Sequence, residues 1–217
     1  MTSRVDRKAA AVTDQAKQLR AMAAAQPPEP ATRLPAIAVT GGKGGVGKSC
    51  IAVNLSIALA EIGLSPLLVD VDLGLANADV MLGINSQATL YEVLFEGKSL
   101  KQAVVAGPKG MSFLPAASGR DELTRLQPRQ FQSLLRELAR AAADHDLVVF
   151  DTAAGIGREV ATFLGASRVI LVVVTPEPTS LTDAYALIKV VERDHPGKDI
   201  RVLVNQATNQ DLSLIHI

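Results

Sequence analysis

Gly41-Gly42-Lys43-Gly44-Gly45-Val46-Gly47-Lys48-Ser49 stands directly after a short apolar run and directly before a stretch whose apolar residues recur at helical spacing. A glycine-rich turn between a strand and a helix is the context a phosphate-binding loop requires. Glycines let the backbone wrap close to phosphate oxygens and aim its N–H groups at them, and the helix N-terminus adds partial positive charge. Lys48 is placed to bridge β- and γ-phosphates, and the Ser49 hydroxyl to ligate Mg²⁺. A ligand-free turn of the same shape has no use for two lysines set among glycines.

Outward from this loop, short β-rich runs alternate with helical periodicity. Strands are expected at 36–40, 66–71, 111–114, 147–151, 169–175 and 200–205, and helices at 48–62, 128–143 and 178–194, the second opened by Pro128. This predicts an α/β layered fold of the P-loop NTPase kind, a mainly parallel sheet flanked by helices. Carboxylates fall at strand ends. Asp70 and Asp72 close the run Leu67-Leu68-Val69-Asp70-Val71-Asp72, where positions i and i+2 share one side of a strand at its C-terminal edge. Either they serve the phosphate site or they cap the following turn. Asp151 closes Leu147-Val148-Val149-Phe150-Asp151, an apolar strand ending in an acid, the Walker B pattern suited to holding the water shell of Mg²⁺.

The segment Lys43-Gly44-Gly45-Val46-Gly47-Lys48-Ser49 resembles the deviant Walker A motif of the MinD, ParA and nitrogenase-iron-protein superfamily. The resemblance implies ATP and Mg²⁺ as ligands, ATP hydrolysis, and a homodimer sandwiching ATP, with Lys43 reaching across to the partner's nucleotide. It implies nucleotide contacts from Gly42, Lys43, Gly44, Gly45, Val46, Gly47, Lys48, Ser49 and Cys50. Catalytic roles fall to Lys43, Lys48 and Asp72, with Asp72 in switch I orienting the attacking water. Metal contacts fall to Ser49, Asp70 through water, and Asp151. Asn77 resembles the switch I asparagine, and Ala153-Ala154-Gly155-Ile156-Gly157 resembles switch II with Gly155 in it, although family members commonly have Gly or Pro where Ala153 stands. Asn205, at the end of the last strand, matches an asparagine that reads the adenine edge, since an amide donates and accepts together; an ordinary turn asparagine is the alternative. The turn Thr175-Pro176-Glu177-Pro178 resembles the family's turn near the base and is assigned no chemistry.

Ahead of the loop, Val5, Ala9, Val12, Ala16 and Leu19 make an apolar stripe on a helix spanning residues 1–25, and the Pro-rich residues 26–35 form a linker. Asp14-Gln15-Ala16-Lys17-Gln18-Leu19-Arg20 resembles an element of FlhG/FleN-type flagellar number regulators. There the segment engages the signal-recognition-type GTPase FlhF and stimulates its GTP hydrolysis. The resemblance makes Asp14, Gln15, Ala16, Leu19 and Arg20 the partner-binding residues. A tethered helix that orders on contact fits that task. Further partners implied are a flagellar transcription activator, C-ring components and, through a C-terminal amphipathic helix, the inner membrane at a cell pole. The other branch of the same family, cell-division placement or cargo partition, stays open.

Composition narrows the classes. Lys plus Arg and Asp plus Glu both number 22, so the formal charge is zero, and with aromatics at 3% no specific DNA binding is expected. The single cysteine, Cys50, excludes an internal disulfide framework and the cluster of the nitrogenase iron protein, and it suits a cytoplasmic home. Cys50 is expected on the buried side of the first helix. His145, His195 and His216 carry no metal or triad spacing and read as surface histidines. No apolar leader and no spanning stretch is expected. The ATPase domain is expected over 36–210 without the family's last elements, and residues 211–217 break its pattern and read as foreign to it.

Overall fold

The computed structural model describes residues 34–72, 77–116 and 127–208. Seven strands, β1 (Ala36–Thr40), β2 (Pro66–Val71), β3 (Val105–Ala106), β4 (Ser112–Leu114), β5 (Leu147–Thr152), β6 (Val169–Val174) and β7 (Asp199–Val204), form one sheet ordered β3-β4-β2-β5-β1-β6-β7. Every pairing is parallel except the two-residue antiparallel edge of β3 on β4. The helices are α1 (Lys48–Glu61), α2 (Ala78–Leu82), α3 (Leu90–Phe95), α4 (Leu100–Ala103), α5 (Pro128–Ala142), α6 (Arg158–Ala166) and α7 (Pro178–Asp194).

Central strands buried on both faces read as unbroken apolar runs, and the period of two divides each run between two cores. Val39, Leu68, Val149 and Val173 face α1, which buries Ala52, Val53 and Ala60 against them. Their neighbours Ala38, Leu67, Val69, Val148, Phe150 and Val172 face the opposite layer, where α5, α6 and α7 contribute Phe131, Leu134, Leu138, Phe163, Leu164, Leu187 and Val191. Phe163 joins the helices to the sheet: its ring meets Phe131 edge-on at 6.1 Å and Phe150 at 5.2 Å. Fully burying one such ring is worth about 1.5–3 kcal/mol. On the narrower α1 side the one buried hydroxyl of the helix, Ser56, donates to the Ala52 carbonyl at 2.8 Å, so it enters the core without an unpaired donor.

The expected strands and three longer helices are present, with ends displaced by a residue: β4 starts at Ser112, β5 runs on to Thr152, and β7 spans Asp199–Val204. The short α2, α3 and α4, the nine-residue α6 and the β3 edge were not expected. Leu34, assigned to the linker, is 2% exposed and its amide donates to the Ala166 carbonyl at 3.1 Å, so the packed core begins there. His195 is half-buried rather than free on the surface, because its ring packs where a Cβ on Gly165 would stand. The expected helix over 1–25, most of the linker, His216 and the tail lie outside the described residues.

Candidate nucleotide site

The loop after β1 turns at the C-terminal edge of the sheet, where α/β folds bind ligands. It turns between β5, which carries Asp151, and β6, because those are the neighbours of β1. Two glycines are required by what surrounds them. A Cβ on Gly42 would lie 2.4 Å from the Asp183 carbonyl carbon, so the loop could not close on the start of α7 with any side chain there. Gly47 takes the left-handed conformation at φ +94° as the cap of α1, and a Cβ would meet the Asn205 amide nitrogen at 2.4 Å. From Gly47 the helix starts at once, with the Ile51 amide donating to the Gly47 carbonyl at 2.9 Å.

A cavity of about 580 Å³ opens over this loop, walled by Gly44, Gly45, Gly47, Lys48, Ser49 and Cys50 and, across from them, by Asp72, Asn77, Met81, Ala153 and Ala154. Of the residues predicted from sequence, the loop, Asp72 and Asn77 thus converge on one space. Gly155 supports its wall, donating its amide to the Gly41 carbonyl at 3.0 Å with φ +94°. Cys50 corrects an expectation: it is exposed and rims the cavity. Ala52, Val53, Ser56 and Ala60 set the buried side of α1, and Cys50, some 200° from Ala52 around the helix, faces away.

Electrostatics concentrate beneath the loop. Lys48 is 8% exposed, and burial lowers its pKa against the opposing pull of Asp151 and Asp72. Asp70 and Asp151 stand directly opposite each other on the adjacent strands β2 and β5, each 1% exposed. Burial first, then the neighbouring Asp151 carboxylate, pushes Asp70 up to about 8. Burial lifts Asp151 to about 6, held back by the Ser49 hydroxyl and the Lys48 ammonium. The two acids differ in their partners. Asp70 accepts the Asp72 amide at 3.0 Å and the Ala78 amide at 3.3 Å, which is the capping geometry weighed above. Neither oxygen of Asp151 completes a hydrogen bond of good geometry among the described residues, although Ser49 stands close enough to act on its charge.

That arrangement fits Mg²⁺. The described residues hold no group of three or more His, Cys, Asp and Glu side chains able to enclose a metal. They offer instead a hydroxyl beside one unsatisfied buried carboxylate, the sparse oxygen set of an ion that keeps most of its water.

Two contacts were not foreseen. Lys43 Nζ is held within its own chain, by Glu177 Oε2 at 2.6 Å and Thr179 Oγ1 at 3.2 Å. Glu177 belongs to the turn that was assigned no chemistry, and an acid just past a strand aimed at the loop was the available signal. Asn205 donates its side-chain amide to the Val46 carbonyl at 2.9 Å. Beside it Thr175, Pro176, Glu177, Gln206 and Thr208 line a second cavity of about 300 Å³. Asp14, Gln15, Ala16, Leu19 and Arg20 lie outside the described residues.

Residues 35–202 match the family model described as AAA domain. The chain is 48% identical over 171 residues to the antiactivator FleN of Pseudomonas aeruginosa, an alignment covering 79% of this chain and 61% of FleN. It is 36% identical over 154 residues to the flagellum site-determining protein YlxH of Helicobacter pylori, covering 71% and 52% respectively. The septum site-determining protein MinD of Pyrococcus horikoshii, solved with Mg-ADP, superposes at a TM-score of 0.71 with 27% identity, over 82% of this chain and 72% of that one. The chain therefore spans about three-fifths or less of the length of these two flagellar relatives.

Proposed function

The chain belongs to the AAA domain family and, within it, to the MinD/ParA ATPases of the FleN/FlhG type, and from that premise we propose that it is an ATP-driven molecular switch regulating the number and placement of flagella. One observation carries the chemistry: the phosphate loop, Asp72 and Asn77 wall a single cavity above a buried carboxylate with unsatisfied oxygens. The flagellar assignment is supported by the similarity to FleN and YlxH.

In this reading the triphosphate lies along the loop amides, and Lys48 neutralises its β- and γ-oxygens from a site where little water dilutes the charge. Ser49 and Asp151 hold Mg²⁺, with Asp70 bracing the pair from the next strand; when bound, the ion offsets phosphate charge. Asp72, beyond the end of β2 at the cavity wall, orients water for attack on the γ-phosphorus, and Asn77 and Gly155 shape the two switch segments around it. Lys43 leaves Glu177 and crosses to the partner's nucleotide, stabilising the charge that develops in the transition state. Association and hydrolysis then become one linked event.

The segment over 1–25, through Asp14, Gln15, Ala16, Leu19 and Arg20, engages an FlhF-type GTPase and stimulates it. In the whole protein the ATP-bound dimer works in the cytoplasm, against the inner membrane at a cell pole, with a flagellar transcription activator and C-ring components as further partners. No helix of the described residues is long and apolar enough to cross a membrane. Septum placement or partition of cargo is the second reading, supported by the likeness to a septum site-determining MinD.

A GTPase assay of FlhF with a synthetic peptide of residues 1–22 separates the two. Stimulation that is lost with Arg20→Ala and Gln15→Ala supports the flagellar reading, whereas no stimulation leaves the MinD/ParA reading standing. ATP turnover by the 217-residue chain that survives Lys43→Ala undiminished would sink the proposed dimer chemistry.

A further inference from the structure

We propose that Thr40 is a positioning residue for the segment after β5: its buried hydroxyl takes a backbone partner within residues 153–155 only when nucleotide is bound, and so fixes that segment in its nucleotide-bound arrangement. The assignment rests on the ATP-binding reading above and asks what ties this switch segment to an occupied loop.

Thr40 ends β1 and directly precedes Gly41, the first residue of the loop. It is fully buried, and its Oγ1 has no hydrogen-bond partner among the described residues. A buried hydroxyl left unpaired costs more than a hydrogen bond gains, and valine has nearly the same shape without that cost. The hydroxyl is idle in this state, so its use lies in another. The strand register shows where. Val39 pairs with Asp151, which sets Thr40 level with Thr152 on the adjacent strand. Their partners on the outer sides, Val172 and Val71, both belong to the core opposite α1. The two threonines therefore share the sheet face turned away from Asp151 and the loop lysine.

Thr152 is the second half of the arrangement. Its Oγ1 stands 3.1 Å from the Val39 carbonyl and 3.2 Å from the Ala153 carbonyl, and a hydroxyl has one proton to give. It ties β5 to β1 or holds the first residue of the switch segment, and does not do both at full strength. Two residues on, Gly155 donates its amide to the Gly41 carbonyl at 3.0 Å in the left-handed conformation, φ +94°. Between these two ties, Ala153 and Ala154 wall the nucleotide cavity. The backbone from 153 to 155 thus has the ligand space on one side and the buried hydroxyls at its root. A nucleotide in contact with Ala153 and Ala154 re-aims their peptide groups, and Thr40, with its donor uncommitted, secures the new arrangement.

Three measurements on the 217-residue chain test this in the wild type, Thr40→Val and Thr40→Ser. They are ligand-free melting, affinity for a non-hydrolysable ATP analogue with Mg²⁺, and hydrogen exchange over residues 152–157 by mass spectrometry with and without that analogue. A bond made only in the bound form counts wholly towards binding. Thr40→Val should therefore bind the analogue roughly two- to tenfold more weakly and lose a similar factor of ligand-induced protection, while melting no lower than wild type without ligand. Thr40→Ser, which keeps the hydroxyl, should restore affinity and protection. Earlier ligand-free melting of Thr40→Val than of the other two would overturn the proposal, because the hydroxyl would then be bonded before nucleotide arrives. Equal affinity and protection in all three chains would overturn it as well, as would a wild type that binds the analogue with exchange over 152–157 unchanged. A wild type that binds no analogue would remove this assignment together with the ATPase reading beneath it.

Discussion

Replacing Glu177 by Gln should make ATP-dependent association of this chain stronger. In the single chain Lys43 rests on Glu177 at 2.6 Å, with side chains 41% and 61% exposed. Ion pairs that open to solvent contribute about 0.2–1 kcal/mol. A symmetric dimer in which each Lys43 crosses to the other protomer breaks two of them, so the intact pairs oppose assembly by about 0.4–2 kcal/mol, or roughly 2- to 30-fold in the dimer dissociation constant. Thr179, at 3.2 Å, retains a weaker hold in the variant and keeps the effect below the upper figure. The assay is sedimentation equilibrium with Mg²⁺ and a non-hydrolysable ATP analogue, at low salt and again near 1 M salt, where screening should bring wild type and variant together. Association of Glu177→Gln equal to or weaker than wild type at low salt would refute the argument, since it would mean that Lys43 is not being withdrawn from Glu177 when the dimer forms.

The fold and the site carry three further expected outcomes. Phe163→Ala removes the ring that joins Phe131 and Phe150, and urea denaturation should show a loss of about 3–5 kcal/mol with the m-value unchanged. Asp72→Asn should leave nucleotide binding nearly intact while slowing hydrolysis by about 10²-fold or more, read as kcat against KM. The pH profile has a definite sign: Asp70 and Asp151 hold protons up to about 8 and about 6, well above their unfolded value of 3.8, so the folded chain binds more protons. The stability they contribute is complete below that unfolded value and is lost as pH rises through 6 and then 8. Melting temperature without nucleotide should fall across that window, and Mg-ADP should recover most at its alkaline end, where no proton competes for the carboxylates.

Much of the architecture was open to sequence reading because punctuation and period agreed. Pro128 and Pro178 open long helices, and the runs 66–71, 147–151 and 169–175 are too apolar and β-branched to lie anywhere but inside a parallel sheet. The shorter elements escaped for a physical reason: helices of four to six residues such as α3 and α4 complete barely one turn, and no period can be counted in them. Their starts were nevertheless written locally, in the capping boxes Thr89 with Glu92 and Ser99 with Gln102. Helix α6 escaped because its nine residues, Arg158–Ala166, make only about two and a half turns, too few for a period to stand out. Within the site, the loop and the acids at strand ends were readable, since their spacing is local. The Lys43–Glu177 and Asn205–Val46 contacts were not, because each joins residues more than 130 positions apart that come together only through the strand order.

That strand order also partitions the site. With β1 between β5 and β6, the loop it launches has the acids of β2 and β5 on one flank, and the ends of β6 and β7, with Glu177 and Asn205, on the other. In the proposed reading the first flank serves the chemistry at the phosphate, while the second holds Lys43 at Glu177 and ties Asn205 to the loop at Val46. On that reading a lineage, or a laboratory, could retune how readily two copies meet by changing residues after β6, while the acids on the other flank stay as they are.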